Sequence, residues 1–167
     1  MSFFLPIYTL WLRELVRFFR QKSRIVGVIG SPLLFWILIG SGFGTSFKIP
    51  GVKESEGYLE YFYPGTVLLV VLFTSIFASI SIIEDRKEGF LQSVLVSPAS
   101  RASIVLGKII GITTLALLQG MFFLPFAPFA EISLTIGTIL SAIAILFLVA
   151  FGLSALGFLF AWKLNST

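Results

Sequence analysis

Residues 64–88 read PGTVLLVVLFTSIFASISIIEDRKE, and this stretch decides the fold class. From Gly65 to Ile83 no side chain is charged, and then Glu84, Asp85, Arg86, Lys87 and Glu88 follow without a break. An apolar run of about 20 residues crosses a hydrocarbon core of roughly 30 Å as a helix, because a helix satisfies its own backbone groups where water cannot. At about 2.5 to 3.5 kcal/mol for each Asp, Lys or Arg at a helix centre, burying the charged run would cost on the order of 10 kcal/mol or more. The sequence therefore predicts a transmembrane helix over 65–83 and a return to water at Glu84. Pro64 opens it, where a missing amide proton does little harm.

Working outward, the same pattern recurs. A first span is expected over 25–43, entering through Gly27, Gly30 and Pro32 and ending in the cluster Gly40, Ser41, Gly42, Gly44. Residues 45–63 carry Lys48, Lys53, Glu54, Glu56 and Glu60 with Pro50 and Gly51, and read as a loop with a short interfacial helix through Tyr58, Tyr61 and Phe62. A third span over 104–125 holds Lys108 near its start, where a long side chain can snorkel to the interface. Pro125, Pro128 and Glu131 mark a tight turn before a fourth span, 134–162, whose length of about 40 Å as a helix requires it to tilt, to bend near Gly152 or to begin in the headgroups.

Before the first span, residues 1–24 are amphipathic. Arg13, Arg17, Arg20 and Arg24 recur at helical spacing, with Leu12, Leu15, Val16 and Phe19 on the other side. This helix is expected to lie along the membrane, with Tyr8 and Trp11 at the headgroup boundary and the arginines against anionic lipid. Because the positive charges follow the first apolar residues instead of preceding them, no signal cleavage is expected.

The expectation is thus an all-α membrane bundle in one domain, 1–167: an interfacial helix and four spans, without internal repeats or coiled-coil heptads. A chain that is 57% hydrophobic and 12% charged excludes an ordinary water-soluble domain. With neither Cys nor His in it, thiolate and imidazole metal sites and the nucleophiles and bases built on those side chains are excluded. The net charge of +4 sits beside the apolar runs, which points to lipid and topology, not to nucleic acid. Four spans put Arg13, Arg17, Arg20, Lys22, Arg24, Arg86, Lys87, Arg101, Lys108 and Lys163 on one side and only Lys48 and Lys53 on the other. The richer side is cytoplasmic, so both termini are expected there.

The loop 84–103 carries the functional signal. Phe90, Leu91, Val94 and Leu95 share one face of a helix that Pro98 stops after about two turns. Too short to span a bilayer, such a helix can dock into a groove of a soluble partner or rest on lipid, and periodicity leaves both open.

From Glu84 through Lys108 the chain resembles the cytoplasmic loop of type-2 ATP-binding-cassette exporter permeases, drug-resistance and nodulation-type members above all. The matching residues are Glu88, Gly89, Phe90, Leu91, Leu95, Ser97, Pro98, Arg101, Gly107 and Lys108. The resemblance implies that Glu88, Gly89, Phe90, Leu91, Gln92, Val94, Leu95, Ser97 and Pro98 form a coupling helix that contacts a cassette ATPase subunit. It implies further a second permease copy, identical or not, ATP and Mg bound in the partner ATPase with no cofactor on this chain, and export of a drug, lipid or glycan across a prokaryotic plasma membrane. Family members resemble a six-span bundle, so this chain is expected to be a short form, a fragment, or one completed by another chain.

Other residues are read more plainly. The phosphate-binding pattern Gly-x-x-x-x-Gly-Lys-Ser/Thr is absent; its nearest text, Gly107-Lys108-Ile109, opens a membrane helix. Gln119 is the most polar side chain deep in a span, suited to a helix contact more than to a substrate path. Thr74, Ser75, Ser79 and Ser81 suit bonds to their own helix backbone or close packing more than cargo binding, and Gly107 with Gly111 and Ala150 with Ser154 suit close helix packing. The competing function is a four-span scaffold without transport; a small channel lacks any ring of charge.

Overall fold

A computed structural model describes residues 3–43, 58–130 and 132–163. The elements in order are α1 (Phe4–Arg20), α2 (Lys22–Phe43), α3 (Tyr58–Lys87), α4 (Phe90–Val96), α5 (Arg101–Phe123), a 3-10 helix (Leu124–Ala130) and α6 (Ile136–Lys163). Among the described residues all regular structure is helical. The expected loop over 45–57, including Lys48 and Lys53, lies outside the described residues, as does Glu131.

Three helices are long and apolar enough to cross a membrane, Glu60–Lys87, Arg101–Ala130 and Ile136–Lys163. Where four full spans were expected, the first is a shorter apolar helix, Ile25–Leu38, inside α2. The amphipathic segment ends earlier than expected, because Gln21 leaves helical geometry at φ −96° and ψ 74°. Lys22 and Arg24 therefore belong to α2.

The second span is longer than 65–83 at both ends. Tyr58, Tyr61 and Phe62 form no separate interfacial helix but the first turns of α3, so Pro64 lies inside the helix and not at its start. At the other end α3 runs on through Glu84, Asp85, Arg86 and Lys87. Within the charged run Lys87 and Glu88 are exposed, but Asp85 is completely buried against other helices. A per-residue transfer cost assumes an unpaired charge, and here other helices supply the partners.

α3 and α5 form the centre, with α2 and α6 packed on α3 and α1 packed on α5. Val70, Val71, Ala116 and Ala150 are fully buried where α3, α5 and α6 meet. Nearer the charged end, Ile82, Ile112 and Phe158 continue the core. Within its most apolar stretch α6 buries only 17% of residues, against 56% for α3 and 50% for the third span, so it is the outer helix. At the far end the Tyr63 hydroxyl donates to the Phe123 carbonyl at 2.5 Å, and the expected tight turn is the 3-10 helix with Ala127 and Ala130 buried.

The Gly107 and Gly111 pair is where α1 crosses α5. A Cβ at Gly107 would lie 3.0 Å from Leu10 Cβ and 3.1 Å from the Ile7 carbonyl oxygen, and one at Gly111 would lie 3.0 Å from Glu14 Cβ. Hydrogen at both positions is what lets α1 lie close enough for the Trp11 indole to donate to Thr114 Oγ1 at 3.1 Å.

Candidate functional site

The end of the bundle that holds α1, α4 and the ends of α3, α5 and α6 carries most of the charged side chains among the described residues. Between α3 and α4 the chain turns at Gly89, whose φ of 75° is the left-handed conformation that side chains with a Cβ adopt at a cost. Nothing lies within 4 Å of a Cβ built there, so the backbone angle and not space requires glycine. The Glu88 amide donates to Glu84 O at 2.9 Å and the Gly89 amide to Arg86 O at 3.2 Å, closing α3. α4 then runs for 7 residues and stops at Ser97, extended at φ −66° and ψ 157°, as a residue before proline is.

The face expected on α4 divides. Leu91 is 2% exposed and belongs to the interior, and Phe90 and Val94 are half-buried. Leu95 at 41% and Val96 at 87% face outward with Gln92, Ser97 and Pro98. Glu88 is exposed beside them. Between α4 and α1 lies a cleft of about 650 Å³, lined among others by Pro6, Leu10, Arg13, Phe90, Val94 and Pro98.

Behind α4 sits a cluster of ionised groups from three helices. The Arg13 guanidinium donates from Nη1 to Asp85 Oδ2 at 2.9 Å and from Nη2 to Asp85 Oδ1 at 2.7 Å. Arg17 donates to Asp85 Oδ1 at 2.8 Å and to Glu84 Oε2 at 2.7 Å. Lys108 Nζ donates to both Glu14 Oε1 and Asp85 Oδ2. Ser81 donates to the remaining Glu14 oxygen, Oε2, at 3.1 Å. Arg13, Arg17 and Lys108 are balanced by Glu14, Glu84 and Asp85, so the group is neutral as a whole. Neutrality with several hydrogen bonds per ion is what makes such burial tolerable in a low-dielectric interior. The bond to Asp85 raises the Arg13 guanidinium above its ordinary range, against the opposing pull of burial.

This arrangement corrects three expectations. Lys108 does not reach outward: it is fully buried, with its ammonium held by the carboxylates of Glu14 and Asp85. On the basic face, Arg13 and Arg17 turn to Asp85 and Glu84 instead of to lipid, while Arg20 is exposed; the Arg24 side chain lies outside the described residues. Ser81 bonds to Glu14, not to its own helix, whereas Thr74 and Ser79 do bond back to Val70 O at 2.7 Å and Ser75 O at 2.6 Å. Gln119, 5% exposed, meets the Thr74 hydroxyl of α3. Arg86 donates to the Trp162 carbonyl at 3.0 Å, tying α3 to the end of α6.

Glu14, Asp85 and Lys108 were not singled out as a site from the sequence. The available signal was complementary: a lone acid, Glu14, among the arginines of an amphipathic helix, and a lone base, Lys108, inside an apolar run. Among the described residues no group of His, Cys, Asp and Glu could hold a metal ion.

Residues 6–166 match the family model for the ABC-2 type transporter. A protein of Cyanophora paradoxa named as a transport permease, ycf38, is 31% identical over 165 residues, a match that takes in 96% of this chain and 56% of the relative. The chain thus spans little more than half the length of that curated relative. No solved structure matches it.

Proposed function

The chain belongs to the ABC-2 type transporter family, and on that premise we propose that it is a permease whose short helix α4 docks onto a cassette ATPase subunit. ATP and Mg are bound and used by that partner, and this chain converts the partner's closure into movement of its membrane helices. The observation that carries the reading is α4 itself: a two-turn helix held between α3 and α5, with Leu91 anchored inside and Leu95 and Val96 turned outward. Force on such a helix reaches both neighbouring membrane helices.

Cargo in this reading is hydrophobic or amphipathic, a drug, a lipid or a lipid-linked glycan, and its direction is outward. The outer position of α6 favours further helices packed against it, a second permease copy among them. The multi-pass chain sits with α1, α4 and the end of α6 in the cytoplasm of a prokaryotic cell, since the exposed Arg20, Lys22, Lys87, Arg101 and Lys163 gather at that end.

The test is capture of the cognate cassette ATPase by this protein in detergent. Wild type retains the ATPase and Val96→Glu releases it. If wild type captures none, the scaffold without transport becomes the better reading.

A further inference from the structure

We infer that Arg13 is a positioning residue that sets the angle of α4 against the membrane helices, by clasping Phe90 on one side and Asp85 on the other. The Arg13 guanidinium carbon lies 3.6 Å from the centroid of the Phe90 ring, and its two terminal nitrogens each bond one oxygen of Asp85. A guanidinium held by two parallel bonds has a fixed plane, and a ring stacked on that plane has a fixed orientation.

The clasp sits where the chain has least to hold it. Gly89 is the one glycine of left-handed backbone among the described residues, it directly precedes Phe90, and no side chain packs where its Cβ would be. Burial of Leu91 keeps α4 near the bundle, but apolar burial is non-directional and leaves its angle open. Asp85 is itself gripped by Arg17 and Lys108, and Lys108 by Glu14. Phe90 is thereby joined, through one guanidinium, to α1, α3 and α5 together.

The consequence is mechanical. A displacement of α4 is carried by Arg13 into α1 and α5 and is not absorbed at the Gly89 pivot. The source of that displacement rests on the ATPase-docking reading above, whereas the clasp stands without it. Lysine would keep a charge beside Asp85 but lose the planar fork that lies on Phe90.

The experiment reads the angle directly. The chain has no cysteine, so Val96→Cys and Val16→Cys, both at exposed sites, accept spin labels for double electron–electron resonance in lipid nanodiscs. The wild-type background gives a single narrow distance; Arg13→Lys and Phe90→Leu each lose it to a broad or split distribution. Arg17→Lys, which also weakens the grip on Asp85 but touches no part of Phe90, leaves the distance narrow. An unchanged distance in Arg13→Lys and Phe90→Leu overturns the inference, and so does equal broadening in Arg17→Lys, which would make the effect a general loosening of the cluster. No ATPase is present in the measurement, so its outcome is separate from that of the capture assay.

Discussion

Lys108 and Asp85 meet as an ion pair whose side chains are 1% and 0% exposed, so the charge that begins one membrane helix is cancelled by the charge that ends another. The pair is not isolated: Lys108 also serves Glu14, and Asp85 also serves Arg13 and Arg17.

Removing one partner of an isolated buried pair costs about 3–5 kcal/mol, and in this network the loss grows with the number of ions that lose a partner. Asp85→Ala takes a partner from Arg13, Arg17 and Lys108 at once, leaving Arg17 to Glu84 and Lys108 to Glu14, while Lys108→Ala leaves Glu14 to Arg13 and Ser81 and Asp85 to its two arginines. Asp85→Ala is therefore the more destabilising of the two, and thermal unfolding in detergent orders them wild type, Lys108→Ala, Asp85→Ala from most to least stable.

The crossing of α1 over α5 depends on hydrogen at Gly107. A methyl group there must push the Ile7 carbonyl and Leu10 aside, a strain of about 1–3 kcal/mol, because its Cβ would lie 3.1 Å and 3.0 Å from them. Gly152 has nothing within 4 Å, so Gly152→Ala costs nothing in packing and gains up to about 1 kcal/mol in helix propensity. Thermal unfolding and protease resistance of α1 separate the two variants.

At Gly89 the demand is conformational. Gly89→Val forces a branched side chain into φ 75°, at a cost of at least about 1–2 kcal/mol, whereas Gly89→Asn is better tolerated because asparagine adopts this region. Yield and unfolding temperature of the two variants are expected to differ in that order.

On α4, Leu91→Glu and Val96→Glu fail in different ways. Leu91 is buried, and an unpaired carboxylate there destabilises the bundle itself. Val96, 87% exposed, takes the charge without loss of unfolding temperature. Loss of ATPase capture in Val96→Glu with unchanged stability marks a docking surface, while Leu91→Glu serves as the folding control.

Orientation is checked by labelling in sealed right-side-out vesicles with an impermeant maleimide. Val96→Cys and Lys163→Cys react only after the vesicles are opened, and Lys48→Cys reacts without opening. The reverse pattern contradicts the charge asymmetry between the two sides.

The helical membrane class, the positions of the long apolar helices and the short helix before Pro98 were legible from the sequence, because each depends on residues close together in the chain: an unbroken apolar run, a helical repeat, a proline. Gly107 and Gly111 were legible as packing residues for the same reason, although their partner helix was not.

What only the tertiary structure decided is where charge goes. Glu14 meets Lys108 across 94 residues and Arg13 meets Asp85 across 72, distances at which no periodicity speaks. The sequence priced Asp85 and Lys108 as unpaired ions and sent them to water or to the interface, but desolvation is decided by the partners that folding brings up. The split face of α4 has the same origin. Periodicity groups Leu91 with Leu95, and only packing turns the first inward and leaves the second outside.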